Sequence, residues 1–245
     1  MGNLLRFVHP TFTAPSHPGR MARPVLEVRG LCVERDGFAR LRAVSFEASV
    51  GETVVVVGSE GAGKSTLLRC VGLDFAPRSG QVLLHGVDVT GASSDTRRQL
   101  RSRAIELVHP PAPHGVADRT VPTERAGILL GSPGPGAVPV AGMRQRIQIA
   151  KTLTAGYDLL LLDEPFAGVE SGARQRIFDL LFRVRSETDV AVVVATRDPA
   201  VADALADTVV IMRDGEVVES GVAANILSAP SDPYTRALLE DRQSA

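Results

Sequence analysis

The run Gly58-Ser59-Glu60-Gly61-Ala62-Gly63-Lys64-Ser65-Thr66 constrains the fold more than any other stretch of the chain. It fits G-x-x-x-x-G-K-[ST], and its flanks carry the elements that this pattern needs. Thr53-Val54-Val55-Val56-Val57 leads in as a short, continuous apolar run, the mark of a buried strand. Thr66-Leu67-Leu68-Arg69-Cys70-Val71 leads out as a helix. A glycine-rich turn between strand and helix lets backbone N–H groups curl around a phosphate chain, and the helix N-terminus adds its partial positive charge. Gly58, Ser59, Glu60, Gly61, Ala62, Gly63 and Thr66 are therefore expected to form a nucleotide cradle, a P-loop. Lys64 can reach the β- and γ-phosphates, and the Ser65 hydroxyl can ligate Mg²⁺.

A second stretch supports the first. Asp158-Leu159-Leu160-Leu161-Leu162-Asp163-Glu164-Pro165 is an apolar strand ending in two carboxylates. Alone it reads as a buried strand capped by solvated acids. Downstream of a P-loop, an Asp at a strand end completes the Mg²⁺ shell. Asp163 is expected to hold the metal through water. Glu164, next along, is expected to point the other way and to polarise an attacking water, as a catalytic base.

The order of P-loop, then Met143-Arg144-Gln145-Arg146-Ile147-Gln148-Ile149-Ala150, then Leu159–Pro165 resembles the ATP-binding cassette (ABC) ATPases. The tail Asp214–Gly221 is similar to the same family. Pro230–Leu239 resembles the C-terminus of peptide and nickel importer ATPases and of the ABC subunits of the phosphonate C–P lyase system. The resemblance runs from Val25 to Leu239. It implies an α/β fold: a P-loop NTPase of ABC type, with a mostly parallel sheet core, an antiparallel β-subdomain and a shortened helical lobe. It also implies ATP and Mg²⁺ as cofactors, and ATP held between two ABC subunits.

The chain departs from the family where accessory hydrolysis groups are expected. Where the family carries its L-S-G-G-Q signature, this chain has Pro139-Val140-Ala141-Gly142-Met143. Val140 cannot give the hydrogen bond that the signature serine donates to the phosphate on the opposite subunit. A bond of that kind contributes about 1.5–3 kcal/mol. The switch-histidine position is Arg197, a permanent cation that cannot accept a proton as imidazole does. The glutamine-loop position is Pro110, and Ala167-Gly168-Val169-Glu170 stands for the D-loop. The adenine-stacking aromatic falls at or near Arg35, with Phe38 as a stand-in. Turnover is accordingly expected to be reduced. Two subunits of this chain would carry the same signature defect twice, so the second ABC subunit is expected to be heterologous.

Composition bounds the alternatives. The chain has 245 residues and a net charge of −1, with 4% aromatic residues and no Trp. Neither the charge nor the aromatic content favours a nucleic-acid partner. Its apolar runs are strand-length, so no transmembrane segment is expected and a permease would be a separate chain. Cys32 and Cys70 have no metal or redox spacing and read as buried thiols in a reducing compartment. The expected location is cytoplasmic, or on the inner face of the cell membrane through a partner.

Residues 1–23, rich in Pro, His and small side chains, read as a disordered tail, with Met21 as an alternative start. Residues 24–245 form the nucleotide-binding domain, with 91–141 as the reduced helical lobe. The Pro/Gly content of residues 110–139 breaks helices. His85-Gly86, between Val82–Leu84 and Val87–Val89, signals a hairpin. The arginine-rich stretch Arg97–Arg103 reads as a solvated helix face. Three functions remain open: an energising ATPase beside a permease, an ATP-driven subunit of a complex such as the phosphonate C–P lyase, and a nucleotide-binding scaffold without turnover.

Overall fold

The computed structural model describes residues 24–35, 37–109 and 143–240. The expected tail at 1–23 and residues 110–141 of the expected helical lobe lie outside the described residues.

Two sheets organise the chain. The first contains β1 (Pro24–Arg35), β2 (Phe38–Ser49), β4 (Ser79–Leu84) and β5 (Val87–Asp88), in the antiparallel order β2-β1-β4-β5. His85 and Gly86 join its last two strands with φ of 49° and 76°. That pair of positive values is what a two-residue hairpin turn requires.

The second sheet holds β3 (Thr53–Val57), β6 (Ile105–Val108), β7 (Leu159–Asp163), β8 (Ala191–Thr196), β9 (Thr208–Arg213) and β10 (Glu216–Val222). Its order is β10-β9-β3-β8-β7-β6. All neighbours are parallel except β9 and β10, which form an antiparallel hairpin.

The unbroken apolar runs of the central strands follow from burial on both faces. Val54, Val56, Leu159 and Leu161 join a core shared with α1 (Lys64–Val71) and the antiparallel sheet. Val55, Val57, Leu160 and Leu162 face the opposite core. That core is built by α3 (Met143–Ala155), α4 (Ser171–Glu187) and α5 (Pro199–Leu205). Each fully buried Leu or Val contributes about 1.5–3 kcal/mol, so a one-residue register slip would exchange two complete sets of core contacts.

The remaining helices are α2 (Ser94–Arg103), α6 (Ala223–Ser228) and α7 (Pro233–Glu240). The first was expected from its polar, arginine-rich pattern, and only Leu100 of it is buried. The last two are short, of six and eight residues. Asp232 starts α7, its Oδ1 accepting from the backbone N–H of Tyr234 at 2.7 Å. Among the described residues, no helix is long and apolar enough to cross a membrane.

One expectation is corrected. Cys70 is buried on α1, but Cys32 is only half-buried. Cys32 lies on β1, where its Sγ accepts the Ala43 N–H at 3.2 Å.

Candidate functional site

The loop between β3 and α1 is shaped by close backbone approach. A Cβ on Gly58 would come 2.3 Å from the Met212 carbonyl oxygen. At Gly63, φ is 99° and a Cβ would meet the Arg40 carbonyl oxygen at 2.8 Å. Gly58 is thus required by packing, and Gly63 by packing and conformation together. No side chain caps the first turn of α1, and no acidic residue lies in it. The exposed N–H groups and the dipole there are left for an anion. By contrast, α2 has Ser93 capping it and Asp95 in its first turn.

Lys64 opens α1 and is only 5% exposed. Its Nζ donates to the carbonyl oxygens of Gly58 at 2.8 Å and Ser59 at 2.9 Å, which pins the ammonium inside the loop. Glu164 Oε1 lies 3.7 Å from the same Nζ. Burial lowers the Lys64 pKa despite this partner, and burial raises that of Glu164. Desolvation therefore outweighs pairing in both groups, and a phosphate entering the loop would restore favourable charge to Lys64.

Ser65 Oγ donates to Asp163 Oδ1 at 2.9 Å, joining the loop to the end of β7. Asp163 is 2% exposed. Burial raises its pKa; Ser65, His109, Lys64 and Arg69 oppose that shift. Two hard oxygen donors side by side, beside an anion-ready loop, fit Mg²⁺, which is usually held by one or two protein oxygens plus substrate phosphates.

Glu164 does not follow the strand alternation expected of it. Strand β7 stops at Asp163, and Glu164 takes a positive φ of 47°. Its N–H donates to the Ala195 carbonyl at 2.9 Å. Its carboxylate returns toward Lys64 instead of pointing away, so both carboxylates face the loop. Arg197 then completes the arrangement. Its N–H donates to Glu164 Oε2 at 3.3 Å, its Nε lies 3.6 Å from Oε1, and its Nη1 donates to Glu60 at 3.1 Å.

The other candidate positions are less closely gathered. Phe38 is 67% exposed and carries the Arg40 guanidinium 5.9 Å from its ring centroid. Arg35 is stacked on Phe75 at 6.0 Å. After Glu164, Phe166 stacks on Phe178 with centroids 4.5 Å apart. Arg174 covers both rings and pairs with Asp198, next to Arg197. Pro110, Val140 and Ala141 lie outside the described residues. One contact escapes sequence reasoning: the Tyr234 hydroxyl of α7 rests on Ser59 of the loop. The Pro230–Leu239 stretch attracts attention for its resemblance, but nothing in its spacing announces a neighbour 175 positions away.

Comparison with known proteins gives a consistent family. The family described as ABC transporter matches residues 41–114. The chain is 30% identical, over 249 residues, to PhnK of Escherichia coli (strain K12), an ATP-binding protein assigned to phosphonates utilization; the match covers 89% of this chain and 98% of the relative. It is 32% identical, over 237 residues, to the di/tripeptide transport ATP-binding protein DppF of Pseudomonas aeruginosa (strain UCBPP-PA14), covering 83% and 72%. Among solved structures, the ATP-binding cassette MJ0796 in a dimeric post-hydrolysis state with ADP and Pi superimposes with a TM-score of 0.66. It is 21% identical and covers 81% of this chain and 98% of that one. The cbiO1 subunit of the cbiONQ transporter complex from Clostridium perfringens gives a TM-score of 0.69 at 24% identity, covering 85% and 92%. At these identities the structural matches speak for the fold.

Proposed function

The chain belongs to the ATP-binding cassette family and is an ABC-type ATP-binding subunit, and on that premise we propose how its own residues bind and use the nucleotide. The observation that carries the proposal is the contact of Ser65 Oγ with Asp163 Oδ1 at 2.9 Å beside the buried Lys64. The loop of residues 58–66, through its amides from Glu60 onward, and the Lys64 ammonium take the phosphate chain of ATP. Ser65 and Asp163 hold Mg²⁺, which neutralises developing charge on the phosphates when bound. Glu164 serves as the base that orients and deprotonates water. Its burial supports the role, because a carboxyl with a raised pKa is a stronger proton acceptor.

Family members work with other ABC subunits and with permeases. For this chain the favoured setting is a subunit that drives a phosphonate C–P lyase-like complex; a permease-coupled importer is the second reading. The match that spans 98% of the phosphonates utilization relative supports the first, and the peptide-transport relative supports the second. The altered signature, Val140-Ala141, favours closure of the ATP site by a heterologous second ABC subunit over a homodimer.

Glu164→Gln tests this reading. The substitution removes the base and leaves the loop, Lys64, Ser65 and Asp163 in place. Light scattering with and without Mg-ATP, together with mass spectrometry of chains co-purified from the native host, reads the outcome. The expected result is ATP-dependent association with a second, different ABC subunit in company with C–P lyase-like components. A strong ATP-dependent homodimer would overturn the heterologous partner, and co-purifying permease chains would move the assignment to the second reading.

A further inference from the structure

Tyr234 sits at the meeting point of three elements. Its hydroxyl oxygen accepts the Ser59 N–H at 3.0 Å, and the same hydroxyl donates to Ser59 Oγ at 3.2 Å. Both interactions fall on the second residue of the phosphate-binding loop. The ring is faced by the Arg213 guanidinium, 5.2 Å from its centroid. Arg213 is the last residue of β9, directly after Met212, whose carbonyl oxygen packs against Gly58. The loop's first two residues thus meet one strand end: Gly58 packs against Met212, and Ser59 is linked to Arg213 through Tyr234.

The tyrosine is itself held in place. Asp232 Oδ1 accepts its N–H at 2.7 Å. Glu219 on β10 in turn accepts the N–H groups of Ser231 at 2.8 Å and Asp232 at 3.2 Å. The start of α7 is therefore tied to the sheet edge, and the hydroxyl arrives at the loop with little freedom left to lose.

We propose that Tyr234 is a positioning residue for the phosphate cradle. It pairs with the N–H of Ser59 and so fixes the turn from which the amides of Glu60 through Gly63 converge on the phosphates. The hydroxyl does not touch the nucleotide in this account; it acts through the backbone of Ser59. An exposed loop whose amides are aligned in advance binds an anion better than one that must order on binding. The arrangement also links α7 to the nucleotide, because any movement of α7 is transmitted to the loop.

The inference rests on the ATP-binding reading, and the test separates the two. Tyr234→Phe deletes only the hydroxyl and keeps the ring against Arg213. Three quantities are read on the full chain: Kd for Mg-ATP by calorimetry, amide hydrogen exchange without nucleotide, and thermal midpoint. Tyr234→Phe is expected to weaken Mg-ATP by about three- to tenfold, the scale of one neutral hydrogen bond. It is also expected to speed exchange at Ser59 to Gly61 while leaving exchange in β3 and β8 unchanged. Lys64→Ala serves as the reference that weakens phosphate binding through the nucleotide contact itself. If Tyr234→Phe binds Mg-ATP as tightly as wild type while Lys64→Ala binds it more weakly, the positioning role is overturned and the ATP-binding reading stands. A lowered thermal midpoint with unchanged Kd and unchanged loop exchange would overturn it as well, leaving a structural role only. Unchanged exchange at Ser59 counts against the tether whether or not nucleotide binds.

Discussion

Arg197 reaches across the phosphate-binding loop to Glu164, with its Nε 3.6 Å from Oε1 and its backbone N–H 3.3 Å from Oε2. The same guanidinium holds Glu60 of the loop at 3.1 Å. A fixed cation thus stands on the candidate base from one side, with the Lys64 ammonium 3.7 Å away on the other.

The first prediction concerns this pair. Two cations beside a carboxylate favour its ionised form and draw its electron density away from water. Arg197→His replaces the permanent cation by a group that is mostly neutral near neutral pH. ATP turnover should rise at least severalfold, with Mg-ATP affinity changed much less. A wild-type turnover already on the order of 10 s⁻¹, the median for enzymes, would show that Arg197 imposes no brake.

Thiol labelling should separate the two cysteines. The Ala43 N–H, helped by Ser79 and Arg78, lowers the pKa of Cys32, whereas burial pushes the Cys70 thiol up to about 12. The thiolate is the reactive form. In the native chain a disulfide reagent should label Cys32 alone, with a rate that levels off at a lower pH than for a free thiol. Cys70 should react only on unfolding. Labelling of both at equal rates in the native state would contradict the packing of α1.

Gly58→Ala should damage fold and site together. The added Cβ would lie 2.3 Å from the Met212 carbonyl oxygen, a backbone atom that cannot step aside. Overpacking of this kind costs about 1–3 kcal/mol. The urea midpoint should fall accordingly, and Mg-ATP binding should weaken because the loop must shift away from β9. A variant as stable as wild type would mean that the strand end yields more readily than its buried surroundings suggest.

Much of this architecture is legible in the sequence where one local pattern meets one physical demand. The apolar runs Thr53–Val57 and Leu159–Leu162 have strand length and no polar face, and the structure makes them strands covered on both faces. His85-Gly86 announces its own hairpin. Ser65 Oγ meets Asp163 Oδ1, and Lys64 Nζ lies near Glu164. The reading fails where a contact depends on distant chain segments. Glu164 was expected to face away because strands alternate; its positive φ and its bond to Ala195 end the alternation and turn it inward. Arg197 was legible as a substitution, but its grip on Glu60 was not, since the two meet only through tertiary structure. Cys32, read as a buried thiol for want of metal or redox spacing, lies on β1 with its side chain half-buried.

Calorimetric titration of Mg-ATP into wild type and Lys64→Ala tests the central claim most directly. The Lys64 ammonium is buried and anchored by two loop carbonyls, and desolvation lowers its pKa despite the nearby Glu164. Deleting it removes a charge-assisted contact that contributes about 1.5–3 kcal/mol, so wild type should bind saturably at one site and the variant about tenfold to a hundredfold more weakly. Equal affinity in the two proteins, or no Mg-ATP binding by wild type, would contradict the account.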